Sequence, residues 1–389
     1  MSDIGDIIVI NRGHLGPEEM SGGEAVAFAL CKHWAKSGRR VIQVCTAHTP
    51  EIWRESGVGG IEFLTLNDGG SRPVRTYLRR TLNAMRLPLD ASPAVIYSAS
   101  DFIYDVLPAY RLKRKHPGAR WCAGVYLSVR APRPGDFFRA FRATARRMLT
   151  AVGQRLSLRL MRRAADEVFV LNESEAGRVR AFMKNKAAVR VFPFGVDLEM
   201  IDAVAPADVR CDAVFLGRLQ PRKGTEDLVR AWGIVAKRMP DARLLLIGLG
   251  EEAYVKMIKA LASDLGIGGA VAFSGPRTGA AKYALLKAAR IMAHPSHEES
   301  FGYAVLEGMA CGLPVVAYDL PVYRGIYGGG MVTAPLHDYN CLAEQILALL
   351  ADEARRKSLA AQARECAERR DQAMLLKEFM AKHDGGRDA

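Results

Sequence analysis

Short apolar runs alternate along this chain with longer stretches in which apolar residues recur at helical spacing. Residues 7–10 predict a buried strand, residues 24–36 have the spacing of an amphipathic helix, and residues 41–45 predict a second strand. The alternation continues with apolar runs at 61–66, 94–97, 121–126, 165–171 and 189–192. Strands that alternate with helices indicate a parallel sheet with crossover helices.

The second half of the chain repeats this pattern. Its apolar runs predict strands at 213–216, 244–247, 271–273, 291–293 and 315–317. A length of 389 residues suits two domains rather than one. We therefore predict the α/β class, with Rossmann-like domains at 1–200 and 207–371 and a linker at 203–207.

Composition narrows the class of protein. The chain is 49% hydrophobic and 25% charged, as in a globular protein, and no apolar run approaches the ~20 residues of a membrane span. The acidic N-terminus runs directly into a strand, which is not the pattern of a signal peptide. Seven cysteines stand singly, without C-x-x-C pairs, so we expect a reducing, cytoplasmic compartment with neither disulfides nor a zinc site.

The positive charge is concentrated in residues 111–163. This segment has 15 Lys and Arg against one acid, Asp136, whereas the rest of the chain has 40 basic and 41 acidic residues. Apolar residues lie between the arginines as on a basic amphipathic helix: Phe137, Phe138, Phe141, Met148, Leu149, Val152, Leu156, Leu160 and Met161. Either the segment binds an anionic membrane, or these residues pack into the domain core. Nucleic acid is disfavoured because no nucleic-acid-binding motif is present.

A glycine-bounded loop follows the first strand of the second domain. It places Arg218 and Lys223 between Gly217 and Gly224, just before a helix that begins near Thr225. Two cations on such a loop suit a diphosphate. The alternative is an ordinary solvated basic loop.

The stretch 293–317 predicts strand, loop, helix and strand in succession. Glu299 stands in the loop and Glu307 stands eight residues later inside the helix. Free backbone N–H groups from Ser300 to Tyr303 would favour an anion at the helix N-terminus. The alternative is that Glu299 caps the helix and Glu307 is solvated.

The string from Glu299 to Glu307 matches the E-x7-E signature of the retaining family 4 glycosyltransferases, and residues 300–317 closely resemble that family's most characteristic segment. The loop G-R-L-x-x-x-K-G at 217–224 is also similar to a hallmark of the family. The resemblance implies the GT-B architecture, in which two Rossmann-like domains face each other across a cleft. It also implies that the last helix, about 372–389, packs back on the N-terminal domain.

The resemblance assigns roles by position. Glu299 would meet the hydroxyls of the donor sugar, Glu307 the ribose, and Arg218 and Lys223 the departing diphosphate. The further donor-binding positions are Gly22, Gly23, Gly217, Ser300, Phe301 and Gly302. The chain departs from the family pattern at two places. Phe194 replaces the asparagine of the family's P-N-G-V-D. In many family members a histidine that touches the donor sugar follows the strand that ends before Ser128, and this chain has no histidine there.

The implied reaction is transfer of a sugar from a nucleotide-diphosphate donor to an acceptor hydroxyl, with retention at the anomeric carbon. The chain has no D-x-D triad in a suitable loop, so we expect neither a metal nor another cofactor. The acceptor would be a glycan or a lipid-linked sugar, with Arg139, Arg142, Arg146 and Arg147 at an anionic membrane face. Two alternatives are a sugar-nucleotide epimerase of the same fold and a non-catalytic subunit that binds a sugar nucleotide.

Overall fold

The computed structural model describes residues 5–12, 22–46, 50, 59–66, 79–83, 92–126, 141–192, 194–209, 211–299 and 301–384. For residues 22, 25, 141–147, 149, 174 and 382–384 the structure describes the backbone alone. The chain divides into two compact units, Met1–Pro193 and Phe194–Ala389.

The N-terminal unit is a parallel sheet with helices between its strands. Its strands are β1 (Asp6–Asn11), β2 (Val41–Thr46), β3 (Ile61–Leu66), β4 (Pro93–Ser98), β5 (Arg120–Gly124), β6 (Glu167–Val170) and β7 (Ala188–Val191). The helices whose bounds lie within the described residues are α1 (Gly22–Lys36), α2 (Ile103–Lys115), α3 (Phe141–Ala164) and α4 (Glu173–Met183). The strand order is β3-β2-β1-β4-β5-β6-β7, and every neighbouring pair is parallel.

The central strands of this sheet are buried on both faces, which explains their continuous apolar runs. Ile7 and Ile8 of β1 are fully buried and pair in register with Val41 and Ile42 of β2. Trp121 of β5 is also fully buried, and its indole N–H donates to the Ser98 hydroxyl at 3.1 Å. The core therefore accepts its largest side chain without leaving the indole nitrogen unpaired.

The C-terminal unit has a second parallel sheet. Its strands are β8 (Cys211–Leu216), β9 (Leu244–Ile247), β10 (Val271–Gly275), β11 (Ala289–His294), β12 (Val315–Tyr318) and β13 (Met331–Ala334). Its helices are α5 (Leu198–Asp202), α6 (Thr225–Arg238), α7 (Glu252–Asp264), α8 (Gly279–Lys287), α9 (Tyr303–Ala310), α10 (Pro321–Ile326), α11 (Tyr339–Ala351), α12 (Glu353–Glu368) and α13 (Gln372–Asp384). The strand order is β10-β9-β8-β11-β12-β13, again parallel throughout.

The α/β class and both parallel sheets are confirmed. The predicted strand at 121–126 ends earlier, at Gly124. The stretch predicted as a linker, 203–207, lies inside the second unit, where Lys287 Nζ donates to the carbonyl of Val204 at 2.7 Å and the amide of Ala207 donates to the carbonyl of Ala284 at 2.9 Å. The packing of the last helix on the N-terminal domain stays a prediction.

Candidate functional site

Two loops of the C-terminal unit meet at one edge of its sheet. Strands β8 and β11 are parallel neighbours, so their carboxyl ends lie together, the edge where α/β sheets bind ligands. Gly224 at the end of the first loop has φ +67°, and a Cβ there would lie 1.9 Å from the carbonyl oxygen of Pro295 in the second. The amide of His297 donates to the carbonyl of Arg222 at 2.9 Å. Only glycine allows this backbone approach.

The approach of the two loops places Lys223 against Glu299. The Lys223 ammonium forms an ion pair with Glu299 Oε1, and the two side chains are only 14% and 10% exposed. The Nε2 nitrogen of the fully buried His294 lies 3.0 Å from the same oxygen. Because a carboxylate accepts, His294 donates through Nε2. One oxygen of Glu299 is therefore held by two donors.

The ionisation of Glu299 follows from these partners. Burial raises the pKa of Glu299, but the hydrogen bond from His294 and the charge of Lys223 outweigh it and lower the pKa to about 2. The carboxyl group is therefore an anion at neutral pH. It can accept hydrogen bonds from hydroxyl groups, but it cannot serve as a proton donor.

His294 is positioned by the sheet. It ends β11, and its ring stacks on Phe215 of the neighbouring strand β8 with a centroid separation of 5.4 Å. Its Nδ1 is buried and has no hydrogen-bond partner among the residues described. The ring is thus fixed by packing and by Glu299. Nothing in the sequence singled out this histidine, because its role appears only when β8 and β11 are adjacent.

Glu307 lies on α9 and is 4% exposed. It forms an ion pair with Lys282, and the hydroxyl of Tyr283 donates to its Oε1 at 3.0 Å. Burial, and next the Glu307 carboxylate, raise the pKa of Tyr283 well above its ordinary value, so its hydroxyl keeps its proton. Glu307 is therefore not a solvated surface residue. Its partners stand on α8, 24 and 25 residues away in sequence, which is why local patterns did not reveal them.

The N-terminus of α9 is fixed by aromatic side chains. Gly302 has φ +81°, and a Cβ there would lie 2.7 Å from the ring of Tyr323. The hydroxyl of Tyr327 donates to the carbonyl of Gly302 at 2.9 Å. Among the described residues no side chain caps this helix, so the first amide groups of α9 keep their capacity for an anion.

Phe194, the departure from the family's asparagine, belongs to this aromatic cluster. Its ring meets those of Phe301 and Tyr303 at centroid distances of 5.1 and 4.6 Å. The side chains of Phe194 and Phe301 are almost fully buried. The phenyl rings therefore support the backbone before α9, and any contact of Phe301 with a donor would come from its backbone.

The other predicted donor-binding residues differ in their exposure and in the unit to which they belong. Arg218 is exposed in the turn after β8, and the amide of Gly217 donates to the carbonyl of Ile247 at 3.0 Å. Gly22 begins α1, and a Cβ on Gly23 would lie 2.9 Å from the ring of Tyr126 and 3.1 Å from the carbonyl of Ala99. Close packing within the N-terminal unit therefore accounts for Gly23. Ser300 lies outside the described residues, as does Ser128.

The carboxyl edge of the N-terminal sheet has a buried polar network that the sequence did not reveal. The amide of Arg12, after β1, donates to Asp105 Oδ1 at 2.9 Å, and Ser100, after β4, donates to the other oxygen of Asp105. Gln154 of α3 donates to Asp101 Oδ2 at 2.9 Å. Burial raises the pKa of both Asp101 and Asp105 to about 7. Both carboxyl groups therefore titrate near neutral pH.

The basic segment divides between core and surface. Leu160 and Met161 are buried, whereas Met148, Val152 and Leu156 are 37%, 54% and 47% exposed. The three exposed residues are spaced four apart on α3, so they line one face over about 12 Å. Arg139, Phe137 and Phe138 lie outside the described residues, and the side chains of Phe141, Arg142, Arg146, Arg147 and Leu149 are not described either.

Among the residues described, no helix is long and apolar enough to cross a membrane. All seven cysteines are free thiols.

Sequence comparison finds relatives that are named as glycosyltransferases. The chain is 35% identical over 226 residues to the D-inositol 3-phosphate glycosyltransferase of Saccharomonospora viridis, covering 53% of this chain and 52% of the relative. It is 36% identical over 166 residues to the enzyme of that name from Mycobacteroides abscessus, covering 39% and 37%. The matched regions thus span about half or less of these relatives.

Solved structures show the fold over nearly the whole chain. HepE of Anabaena, in complex with UDP and glucose, has a TM-score of 0.71 and 16% identity, covering 98% of this chain and 100% of that one. Sucrose-phosphate synthase from Thermosynechococcus elongatus has a TM-score of 0.73 and 20% identity, covering 98% of both. The architecture is GT-B.

A family model described as glycosyl transferases group 1 matches residues 202–366. The matched residues include Lys223, Glu299 and Glu307, the three acidic and basic groups around which the site is built. The similarity of this chain to the glycosyl transferases group 1 family is therefore shown for residues 202–366.

Proposed function

We propose that this chain transfers a sugar from a nucleotide-diphosphate sugar to an acceptor hydroxyl, with retention at the anomeric carbon. The observation that carries the proposal is the buried contact of Lys223 and His294 with Glu299 beside the uncapped start of α9. A cation, an anion and free amide groups at one sheet edge suit a ligand that has both a sugar and a diphosphate.

Glu299 would orient the donor sugar. It is ionised, and Lys223 and His294 hold one of its oxygens, so hydroxyl groups of the sugar can donate to the carboxylate. With a pKa of about 2, it has no proton to give to the leaving group. Its role is therefore positional, which agrees with a reaction on one face of the sugar without a protein acid.

The departing diphosphate would gain negative charge in the transition state. Lys223, Arg218 and the amide groups at the start of α9 offset that charge without a metal. Glu307, fixed by Lys282 and Tyr283, would accept from the ribose hydroxyls. Uridine diphosphate sugars are the first donors to test, because HepE is described with UDP and glucose.

Replacing Glu299 with Gln should lower kcat by about 100-fold or more, because it removes a preorganised charge and leaves Lys223 and His294 without their anion. The measurement is release of the nucleoside diphosphate in the presence of donor and acceptor. The matched control is Glu298→Gln, the exposed neighbour, which should keep wild-type activity. A near wild-type kcat in Glu299→Gln, with its fold intact by circular dichroism, contradicts the assignment. Product formed without any acceptor indicates an epimerase or hydrolase instead.

Lys223→Ala and Arg218→Ala should each weaken transition-state binding by several kcal/mol, because each removes charge-assisted bonds to the diphosphate. Calorimetry should also show weaker binding of the nucleoside diphosphate. Arg222→Ala is the control, since Arg222 is an exposed cation in the same loop. If Lys223→Ala and Arg218→Ala bind the diphosphate as well as Arg222→Ala does, the loop is only surface. Tight binding without turnover over a wide acceptor panel favours a non-catalytic subunit.

We also propose that the segment 111–163 binds an anionic membrane face that presents a lipid-linked acceptor. Supporting it are the exposed apolar stripe Met148, Val152 and Leu156 and the exposed Arg155 and Arg159 on the same helix. Two basic residues of the segment form ion pairs within the N-terminal unit. Lys113 pairs with Asp166 at 2.8 Å and Arg120 pairs with Glu167 at 2.6 Å. Within the segment, α3 contributes the exposed apolar residues with which we expect the membrane contact to be made.

The wild-type chain should co-sediment with anionic liposomes at low salt and less at high salt, since each Lys or Arg near the surface contributes about 1 kcal/mol. Changing Arg139, Arg142, Arg146 and Arg147 to Glu should abolish this binding. Val152→Ser with Leu156→Ser should weaken it without changing the charge. Met257→Ser on α7, another exposed apolar residue, is the control. Equal sedimentation of all these proteins, or none by any of them, leaves α3 as ordinary surface.

A further inference from the structure

Asp227, His297 and His337 converge beside the donor loops. They come from α6, from the loop after β11 and from the segment between β13 and α11, so three separate parts of the chain meet. Each offers one ligand atom, and the three atoms all lie within 4.8 Å of one another. No local sequence motif joins residues 70 and 110 positions apart, so the cluster arises only from the fold.

The distances suit a shared ion. His297 Nε2 lies 2.9 Å and His337 Nδ1 lies 4.0 Å from Asp227 Oδ2. Ligands about 2.0–2.2 Å from a tetrahedral zinc ion stand roughly 3.3–3.5 Å apart, between the two observed separations. The two imidazole rings lie 4.3 Å apart at 70°. The His337 side chain is 62% exposed, so its solvent-facing side leaves room for a small adjustment.

A hydrogen bond from Tyr318 holds the carboxylate of Asp227 in place. The hydroxyl of Tyr318, at the end of β12, donates to Asp227 Oδ2 at 2.9 Å. A tyrosine hydroxyl keeps its proton at neutral pH, so it acts as a donor to the carboxylate. Carboxylates that bind metals are typically held in this way by a neighbouring donor.

We propose that Asp227, His297 and His337 bind a divalent transition-metal ion, with zinc as the best match. Two imidazoles and one carboxylate favour zinc and disfavour calcium or magnesium, which prefer oxygen ligands. The three protein ligands leave a fourth position for water. The ion binds to residues other than Glu299 and Glu307 and takes no part in sugar transfer.

The ion would act as a clamp on the donor loops. Asp227 follows Lys223 by four residues, and His297 precedes Glu299 by two. The amide of His297 already donates to the carbonyl of Arg222. An ion that joins Asp227 to His297 therefore strengthens the contact that brings Lys223 to Glu299. The third ligand, His337, adds the segment after β13 to the clamp.

The test is zinc binding by the full chain after chelator treatment, measured by competition with a chromophoric chelator. We expect one tightly bound ion per chain and a zinc-dependent rise in Tm. The His337→Ala variant should show neither the tightly bound ion nor the zinc-dependent rise in Tm. Tyr318→Phe, which keeps the ring and removes the outer donor, should bind zinc about 10-fold more weakly or worse. Neither measurement depends on transferase activity, so failure here is distinct from failure of the proposed function.

Two controls separate this site from adventitious binding. His116→Gln removes an imidazole of the N-terminal unit, and Leu336→Ala changes the exposed neighbour of His337; both should bind zinc as the wild type does. Cobalt substitution should give the visible absorption of a tetrahedral site in the wild type and not in His337→Ala. If His337→Ala binds zinc as tightly as the wild type, or the wild type binds none, the three side chains form only a hydrogen-bonded cluster and the proposal is wrong.

Discussion

The candidate site depends on one close approach of backbone to backbone. Gly224 has no room for a Cβ against the Pro295 carbonyl, and its φ of +67° is unfavourable for other residues. This contact sets the loop after β8 against the loop after β11. Lys223 and Glu299 each lie within a few residues of it, so their ion pair follows from the backbone geometry. The donor site is built by the sheet edge and not by a single loop.

Burying Lys223 beside Glu299 is costly, because both groups lose hydration. Removal of one partner of such a pair typically destabilises by about 3–5 kcal/mol, since it leaves an uncompensated charge. Glu299 is further held by His294, whose other ring nitrogen has no partner among the residues described. A purely apolar contact would hold the loops together at less cost. We infer that the charged arrangement is kept for a ligand that has both hydroxyl groups and negative charge.

The sequence predicted the features that are local in the chain. The strands followed from apolar runs, and the positions of Lys223, Glu299 and Glu307 followed from two short motifs. Partners contributed by other elements were not predictable: His294 acts through the pairing of β8 with β11, and Lys282 reaches Glu307 from α8. The basic amphipathic pattern was ambiguous for a physical reason, because one helix can bury Met161 and expose Val152. Phe194 marked a departure from a motif, and only its packing on Phe301 explained it.

The central claim is that the edge containing Lys223, Glu299 and Glu307 binds a nucleotide-diphosphate sugar. A thermal-stability screen of the purified chain against a panel of nucleotide sugars, their free nucleoside diphosphates and NAD tests it most directly. Stabilisation by a ligand grows as RT ln(1 + [L]/Kd), so the account predicts a concentration-dependent rise in Tm with one nucleotide sugar and with its nucleoside diphosphate. NAD should give no rise. A rise in Tm with NAD alone, or no rise with any nucleotide sugar at millimolar concentration, would contradict the account.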